Sequence, residues 1–166
     1  TYLRNELKFF SDSLDNFKTN SIGKKYENTF DLSGSLTDIL SPNDHTVVGS
    51  IDFGSVEDAA RAVDAVDTEY YSGTWNSCSW VERVIVMSKA SDLIYLRRNE
   101  LSSLIILESG KSINEAFADV DEAIDFINFY IREQYKLSNS QNLSSRGPSA
   151  VIAPWNFPLA IACGMS

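Results

Sequence analysis

The sequence predicts an α/β fold: mixed strand and helix, then a helical block, then the opening strand of a parallel sheet. Three observations carry this. Residues 149–153, Ser-Ala-Val-Ile-Ala, form a short, small, apolar run of the kind covered on both faces in parallel sheets. Pro154 cannot donate a ladder hydrogen bond and so ends that strand, while Pro158 suits the first turn of a following helix. Upstream, residues 46–53 read as a strand that leads directly into a helix, and residues 79–131 carry apolar side chains at helical spacing.

Taken in order, residues 1–25 are expected to be an N-terminal helix and its lead-in. Leu3, Leu7, Phe10, Leu14 and Phe17 recur every three or four residues, as on one face of an amphipathic helix. Residues 18–29 read as a loop leading to a short strand near 26–32, and Ser41-Pro42-Asn43-Asp44 as a turn. After the strand at 46–53, Ser55 with Asp58 three residues on is a helix N-cap with an acidic third position. Val56, Ala59, Ala60, Val63 and Val66 are its expected buried stripe. Residues 70–75, with two tyrosines and Trp75, read as an aromatic packing corner.

A helix over 79–96 is expected to bury Val81, Val84, Ile85, Ser88, Leu93 and Leu96. The next, over 99–109, buries Leu101, Leu104, Ile105 and Glu108 and stops at Gly110, a C-cap. The longest starts at Ser112 with Glu115 completing a capping box, and its stripe is Ala116, Val120, Ala123, Ile127, Tyr130 and Ile131. Residues 136–146 form a polar connector. Residues 159–166 continue the last helix. A buried parallel strand needs neighbours on both sides and helices on both faces. The sequence does not supply them, so the expectation is a truncated domain of a larger α/β protein.

Composition removes several function classes. A net charge of −9 argues against binding a phosphate backbone, which needs clustered Lys and Arg. No run approaches the ~18 apolar residues of a membrane span. Two cysteines make no disulfide framework, so the expected setting is cytoplasmic, or the mitochondrial matrix in a eukaryote. No metal-ligand spacing is present, nor a G-x-G-x-x-G or phosphate-binding loop.

Most reactive side chains have bland readings. His45 sits in a turn without a partner and reads as surface. Cys163 lies in an apolar helical run and reads as a small buried residue rather than a nucleophile. Asp119, Asp121, Glu122 and Asp125 read as the solvated face of the long helix. Glu122, Phe126 and Phe129 share one edge of it, which either faces a cleft or packs. Asn156 stands apart. An amide held between two prolines beyond a strand end lies where α/β sheets bind ligands. Its N–H donors can stabilise an oxyanion developing on a carbonyl.

Residues 151–160, Val-Ile-Ala-Pro-Trp-Asn-Phe-Pro-Leu-Ala, resemble the Pro-Trp-Asn-Phe-Pro motif of the NAD(P)-dependent aldehyde dehydrogenase superfamily. The similarity extends over residues 26–166 through Ser41-Pro42, residues 47–50, Trp75, Glu82-Arg83, residues 98–101 and Glu108-Ser109-Gly110-Lys111. The helix around residues 122–130 and the extra N-terminal helix are most similar to L-glutamate γ-semialdehyde (1-pyrroline-5-carboxylate) dehydrogenases, including the dehydrogenase part of proline utilization A proteins.

The resemblance implies the N-terminal part of an aldehyde dehydrogenase fold: residues 26–166 as a partial cofactor-binding domain with the start of a Rossmann-like sheet, and 136–146 near the oligomerisation strands. It implies that Asn156 is the oxyanion-hole amide, that Ile152, Ala153, Pro154 and Trp155 line the cofactor cleft for NAD or NADP, that Phe157 walls the aldehyde tunnel, and that Glu122 lies near the aldehyde end. The implied parent oxidises glutamate semialdehyde in proline catabolism and is a homo-oligomer. The family's catalytic cysteine, general-base glutamate and ribose-binding lysine have no counterpart in the 166 residues, which are therefore expected to be inactive alone. Ser145-Arg146-Gly147 also departs from the family's usual Pro-Arg-Gly. The alternatives are a dehydrogenase of another aldehyde and a short non-catalytic assembly module.

Overall fold

A computed structural model describes residues 8, 10–12, 14–16, 24–25, 31–138 and 145–166. Residues 8, 10–12 and 14–16 are helical, as the spacing predicts. Phe10 is buried and meets the Phe117 ring edge-on at 5.0 Å. A three-stranded sheet follows, with β1 (Lys24–Lys25), β2 (Leu36–Leu40) and β3 (Val47–Asp52) in the order β1-β3-β2. β1 runs parallel to β3 and β2 antiparallel to it, with a register irregularity between Ile39 and Leu40. Ser50 donates to Asp38 Oδ1 at 2.7 Å across the β2–β3 pair. β3 confirms the strand expected at 46–53. β1 stands where a loop is expected, and β2 replaces no predicted element. The strand expected near 26–32 falls outside the described residues except at 31 and 32, which carry none.

The Ser41-Pro42-Asn43-Asp44 turn forms as expected. Ser41 accepts the His45 N–H at 3.0 Å, and His45 takes a left-handed φ of 58° at its exposed end. Helix α1 (Val56–Ser72) starts on the predicted Ser55 cap, with Asp58 closing the capping box. Its stripe is a correction. Val56, Val63 and Val66 are exposed, as are Ala59 and Ala60, and the buried residue is Asp58. The described chain meets that end of α1 through polar groups, the Ser33 bend and the Asp31 carbonyl. Asp58 accepts the backbone N–H groups of Ser33 and Ser55, the Ser33 hydroxyl, and the guanidinium of Arg61.

The Ser55 N–H, the Arg61 pair and the Ser33 N–H hold the Asp58 carboxyl far below the usual carboxylate range. A depressed folded value stabilises fully above the ordinary ~3.9 and loses that stabilisation as pH falls below it. The unfolding midpoint is expected to drop between about pH 4 and pH 2, and Asp58→Asn to flatten that decline. Parallel pH profiles for the two chains would refute the assignment.

After the short α2 (Thr74–Ser77) come α3 (Trp80–Leu96), α4 (Arg98–Ser109) and α5 (Ile113–Leu137). Ser79 and Ser112 both form full capping boxes, with Glu82 and Glu115. α5 is the centre of the packing. Ala116, Val120, Ala123 and Ile127 are buried as predicted, whereas Tyr130 is exposed and Ile131 half-buried. Ile105 of α4 joins Ala116 and Val120 in a core edged by Ile94, Leu101, Ile106, Ile124 and Leu159. Burying Val120 alone contributes about 1.5–3 kcal/mol. The alanines let neighbouring helices approach closely.

α3 turns inward only part of the face expected, keeping Val84 and Ser88. Val84, Met87, Ser88, Ser91 and Ile94 are covered, while Val81, Ile85, Leu93 and Leu96 face outward. Nearly every turn of α3 carries apolar residues on two sides, so periodicity alone does not choose between them. Glu108 keeps solvent access instead of joining the stripe, although burial pushes its carboxyl up. The 136–146 connector is helical as far as Leu137, and residues 139–144 lie outside the described set.

Gly110 caps α4 at φ 71°, as predicted, and a Cβ there would stand 3.1 Å from Pro42 Cγ. Gly110→Ala is expected to cost about 1–2 kcal/mol, the penalty of a left-handed non-glycine residue. An unshifted urea midpoint would contradict that.

The run at 149–153 is the largest departure. It forms no ladder, and Val151 and Ile152 are exposed. No described strand lies beside it to accept its hydrogen bonds, so an apolar composition is not matched by burial. Helix α6 (Ala160–Met165) begins two residues after Pro158, which occupies the preceding turn instead of the helix's first turn. α6 lies against α5 so closely that a Cβ on Gly164 would fall 2.8 Å from the Phe126 ring.

Candidate functional site

The site is built where α4 ends, α5 begins and the 154–159 turn returns. The left-handed Gly110 reverses the chain out of α4, and the Ser112 cap launches α5, leaving Lys111 between them at the corner. The Ser112 hydroxyl and backbone N–H hold the Glu115 carboxyl below its ordinary value. Two turns into α5, Asp119 points inward with 2% of its surface exposed. Its Oδ2 accepts Lys111 Nζ at 2.9 Å, and its Oδ1 accepts the Ala160 N–H at 2.8 Å. Lys111 Nζ also donates to the Asn156 carbonyl at 2.8 Å and lies 4.5 Å from the centre of the Phe157 ring.

These contacts enclose an open cavity of about 430 Å³ bordered by Lys111, Asp119, Glu122, Trp155, Asn156 and Phe157. Among the described residues, no hydrogen bond engages the Asn156 side-chain amide. Such an amide can offer its N–H donors to a carbonyl oxygen entering the cavity. The structure thus brings together Glu122, Trp155, Asn156 and Phe157, four of the seven expected site residues. Ile152, Ala153 and Pro154 are exposed and do not border this cavity. They form an apolar strip leading up to it, with Ile152 93% and Trp155 81% exposed.

Lys111 and Asp119 are absent from the expected set, and Asp119 is a correction, because it is not on a solvated face. A signal was available. Ala116, Asp119, Val120 and Ala123 follow the i, i+3, i+4, i+7 spacing of a single buried stripe. A carboxylate inside that stripe needs a partner. Asp121 is also engaged, in a two-pronged pair with Arg98 at 2.5 Å, and that guanidinium lies over the Phe117 ring. Cys163 matches its bland reading. It is half-buried with Sγ 3.9 Å from the Ala123 carbonyl, and burial pushes its thiol up. His45 is exposed, and no group of His, Cys, Asp and Glu among the described residues is arranged to hold a metal. No described helix is long and apolar enough to cross a membrane.

Residues 31–166 match the model of the aldehyde dehydrogenase family. The chain belongs to that family. The family's fold is also seen in the solved structures it resembles. Proline utilization A from Bdellovibrio bacteriovorus superposes with a TM-score of 0.86 at 31% identity, over 98% of this chain and 18% of that one. A variant of Thermus thermophilus 1-pyrroline-5-carboxylate dehydrogenase superposes at 0.83 and 28% identity, over 94% of this chain and 33% of that one. In sequence, 1-pyrroline-5-carboxylate dehydrogenase of Bacillus cytotoxicus is 34% identical over 143 residues, 79% of this chain. The chain spans 27% of that relative's length. The aldehyde dehydrogenase fold expected from the Pro154-to-Pro158 motif is therefore the observed one, as part of a domain.

Proposed function

We propose that a full-length aldehyde dehydrogenase containing this segment oxidises L-glutamate γ-semialdehyde to L-glutamate in proline catabolism, with NAD as hydride acceptor and NADP as the alternative. The observation that carries the reading is the unengaged Asn156 amide at a cavity shared with Glu122 and Phe157. The resemblance to dehydrogenases and proline utilization A proteins of that substrate class supports it.

Asn156 donates to the aldehyde oxygen as negative charge develops there, which is where a preorganised amide contributes most. Phe157 supplies an apolar wall. The Glu122 carboxylate at the rim suits a substrate that also bears an ammonium group. The strip Ile152, Ala153, Pro154 and Trp155 is apolar and exposed, which fits one side of a nicotinamide ring, and the sequence carries no glycine-rich phosphate loop. When bound, the dinucleotide supplies the hydride acceptor. The parent is proposed to be a homo-oligomer, and the two free cysteines of this segment, Cys78 and Cys163, suit a reducing compartment such as the cytoplasm.

The test is reduction of NAD by the full-length protein with glutamate semialdehyde, set against succinic semialdehyde and aliphatic aldehydes. Turnover of the aliphatic aldehydes without glutamate semialdehyde would replace the substrate. The purified 166-residue chain is expected to reduce no NAD, because the half-buried Cys163 thiol is not an activated nucleophile.

A further inference from the structure

We infer that Lys111 and Asp119 are positioning residues that hold Asn156 in register with the aldehyde; the inference rests on the oxyanion role proposed for Asn156. The segment from Asn156 to Ala160 has no ladder and belongs to no helix before Ala160. Among the described residues, the one backbone hydrogen bond that closes this turn is Phe157 N–H to the Pro154 carbonyl at 3.4 Å. A turn so lightly held does not by itself fix an amide to the tolerance an oxyanion donor needs.

The missing restraint comes from across the chain. One carboxylate, fully buried at its side chain, accepts Lys111 with one oxygen and the Ala160 N–H with the other. The ammonium it holds then donates to the Asn156 carbonyl and lies over the Phe157 ring. One end of the five-residue segment is thus fastened to Asp119 directly and the other through the lysine that Asp119 holds. Lys111 is 15% exposed at its side chain, so neither charge is screened as a surface pair would be. The ammonium anchors the main chain of Asn156, which borders the cavity, and leaves its side-chain amide without a hydrogen bond to any described residue.

The charge on Asp119 matters beyond the hydrogen bond. An asparagine there still accepts the Ala160 N–H but turns an amide toward the Lys111 ammonium, so the lysine is released while α6 stays attached. K111M removes the same tether from the other side.

The experiment is a mutant cycle in the full-length protein, with kcat and KM for the aldehyde measured for K111M, D119N, N156A and the doubles K111M/N156A and D119N/N156A. Each tether variant is expected to lower kcat by about 10- to 100-fold, the range for a misplaced catalytic group, with KM changed much less. In the N156A background either substitution is expected to change kcat less than about twofold, because the group it positions is gone. A purely structural role would lower apparent kcat by the same factor in both backgrounds, and that outcome overturns the inference. So does an unchanged kcat in both K111M and D119N. If N156A alone leaves kcat intact, the oxyanion reading falls and this inference with it. Additive losses on top of a damaging N156A sink only the inference.

Discussion

Asn156→Ala, in a full-length protein containing this segment, is expected to lower kcat by about 10²–10³, with KM for the aldehyde little changed. The split follows from when the contact forms. A neutral carbonyl oxygen accepts a weak hydrogen bond from an amide, and an oxyanion accepts a strong one. The interaction therefore belongs mainly to the transition state, and removing it slows the step without loosening the ground state. The structure favours a clean readout. The Asn156 side chain makes no hydrogen bond to another described residue and is exposed, so alanine removes no internal support. The lysine and aspartate that hold the turn contact its main-chain carbonyl and the Ala160 N–H, which alanine leaves in place. Steady-state kinetics alongside a thermal unfolding scan decides it. An unchanged kcat removes Asn156 from the chemistry, and a raised KM at constant kcat makes it a binding contact instead.

How much of this was legible in the residues depends on whether the cause was local. The caps at Ser55 and Ser112, the stop at Gly110 and the Ser41-Pro42-Asn43-Asp44 turn are decided within four or five residues, and the structure has them where the spacing puts them. The stripe of α5 was legible too, because Ala116, Val120, Ala123 and Ile127 repeat at helical spacing. Burial on α1 and α3 was not. Val63 and Val81 are apolar and correctly spaced, yet they face outward, since apolarity states a preference and only a neighbouring element satisfies it. The same applies to residues 149–153, whose strand character requires partners at a distance. β2 escaped because Leu36-Thr37-Asp38-Ile39-Leu40 has no clean alternation and is defined by its pairing with β3.

The site divides along the same line. Trp155, Asn156 and Phe157 announce themselves as a motif, and their neighbour Glu122 by its place on a helical edge. Lys111 and Asp119 act across the chain, from 8 to 45 residues away from the groups they bind. A run of acidic residues does not share one face, because helical geometry turns Asp119 about 100° from its neighbours on either side.

The second large effect is one of stability and comes from the same carboxylate. Asp119→Ala is expected to cost about 3–5 kcal/mol, the usual loss when one member of a buried ion pair is deleted. Three consequences combine. The Lys111 ammonium keeps its charge in a site with 15% exposure and loses its counterion, the Ala160 N–H at the start of α6 loses its acceptor, and a fully buried side-chain volume is vacated. The contrast is Arg97–Glu100, where both side chains are well exposed at 59% and 43%. Breaking that pair with Glu100→Gln is expected to cost less than ~0.5 kcal/mol, because water and salt already screen it. Urea unfolding of the two variants against the parent chain separates the cases, and a loss under ~1 kcal/mol for Asp119→Ala would mean that water reaches the pair. The double variant Lys111→Met with Asp119→Leu sharpens the point. It removes both charges together, so it is expected to recover part of the stability lost by Asp119→Ala while leaving the Asn156 carbonyl without its donor. Restored stability with an unrepaired kcat is the signature of a pair retained for position more than for folding.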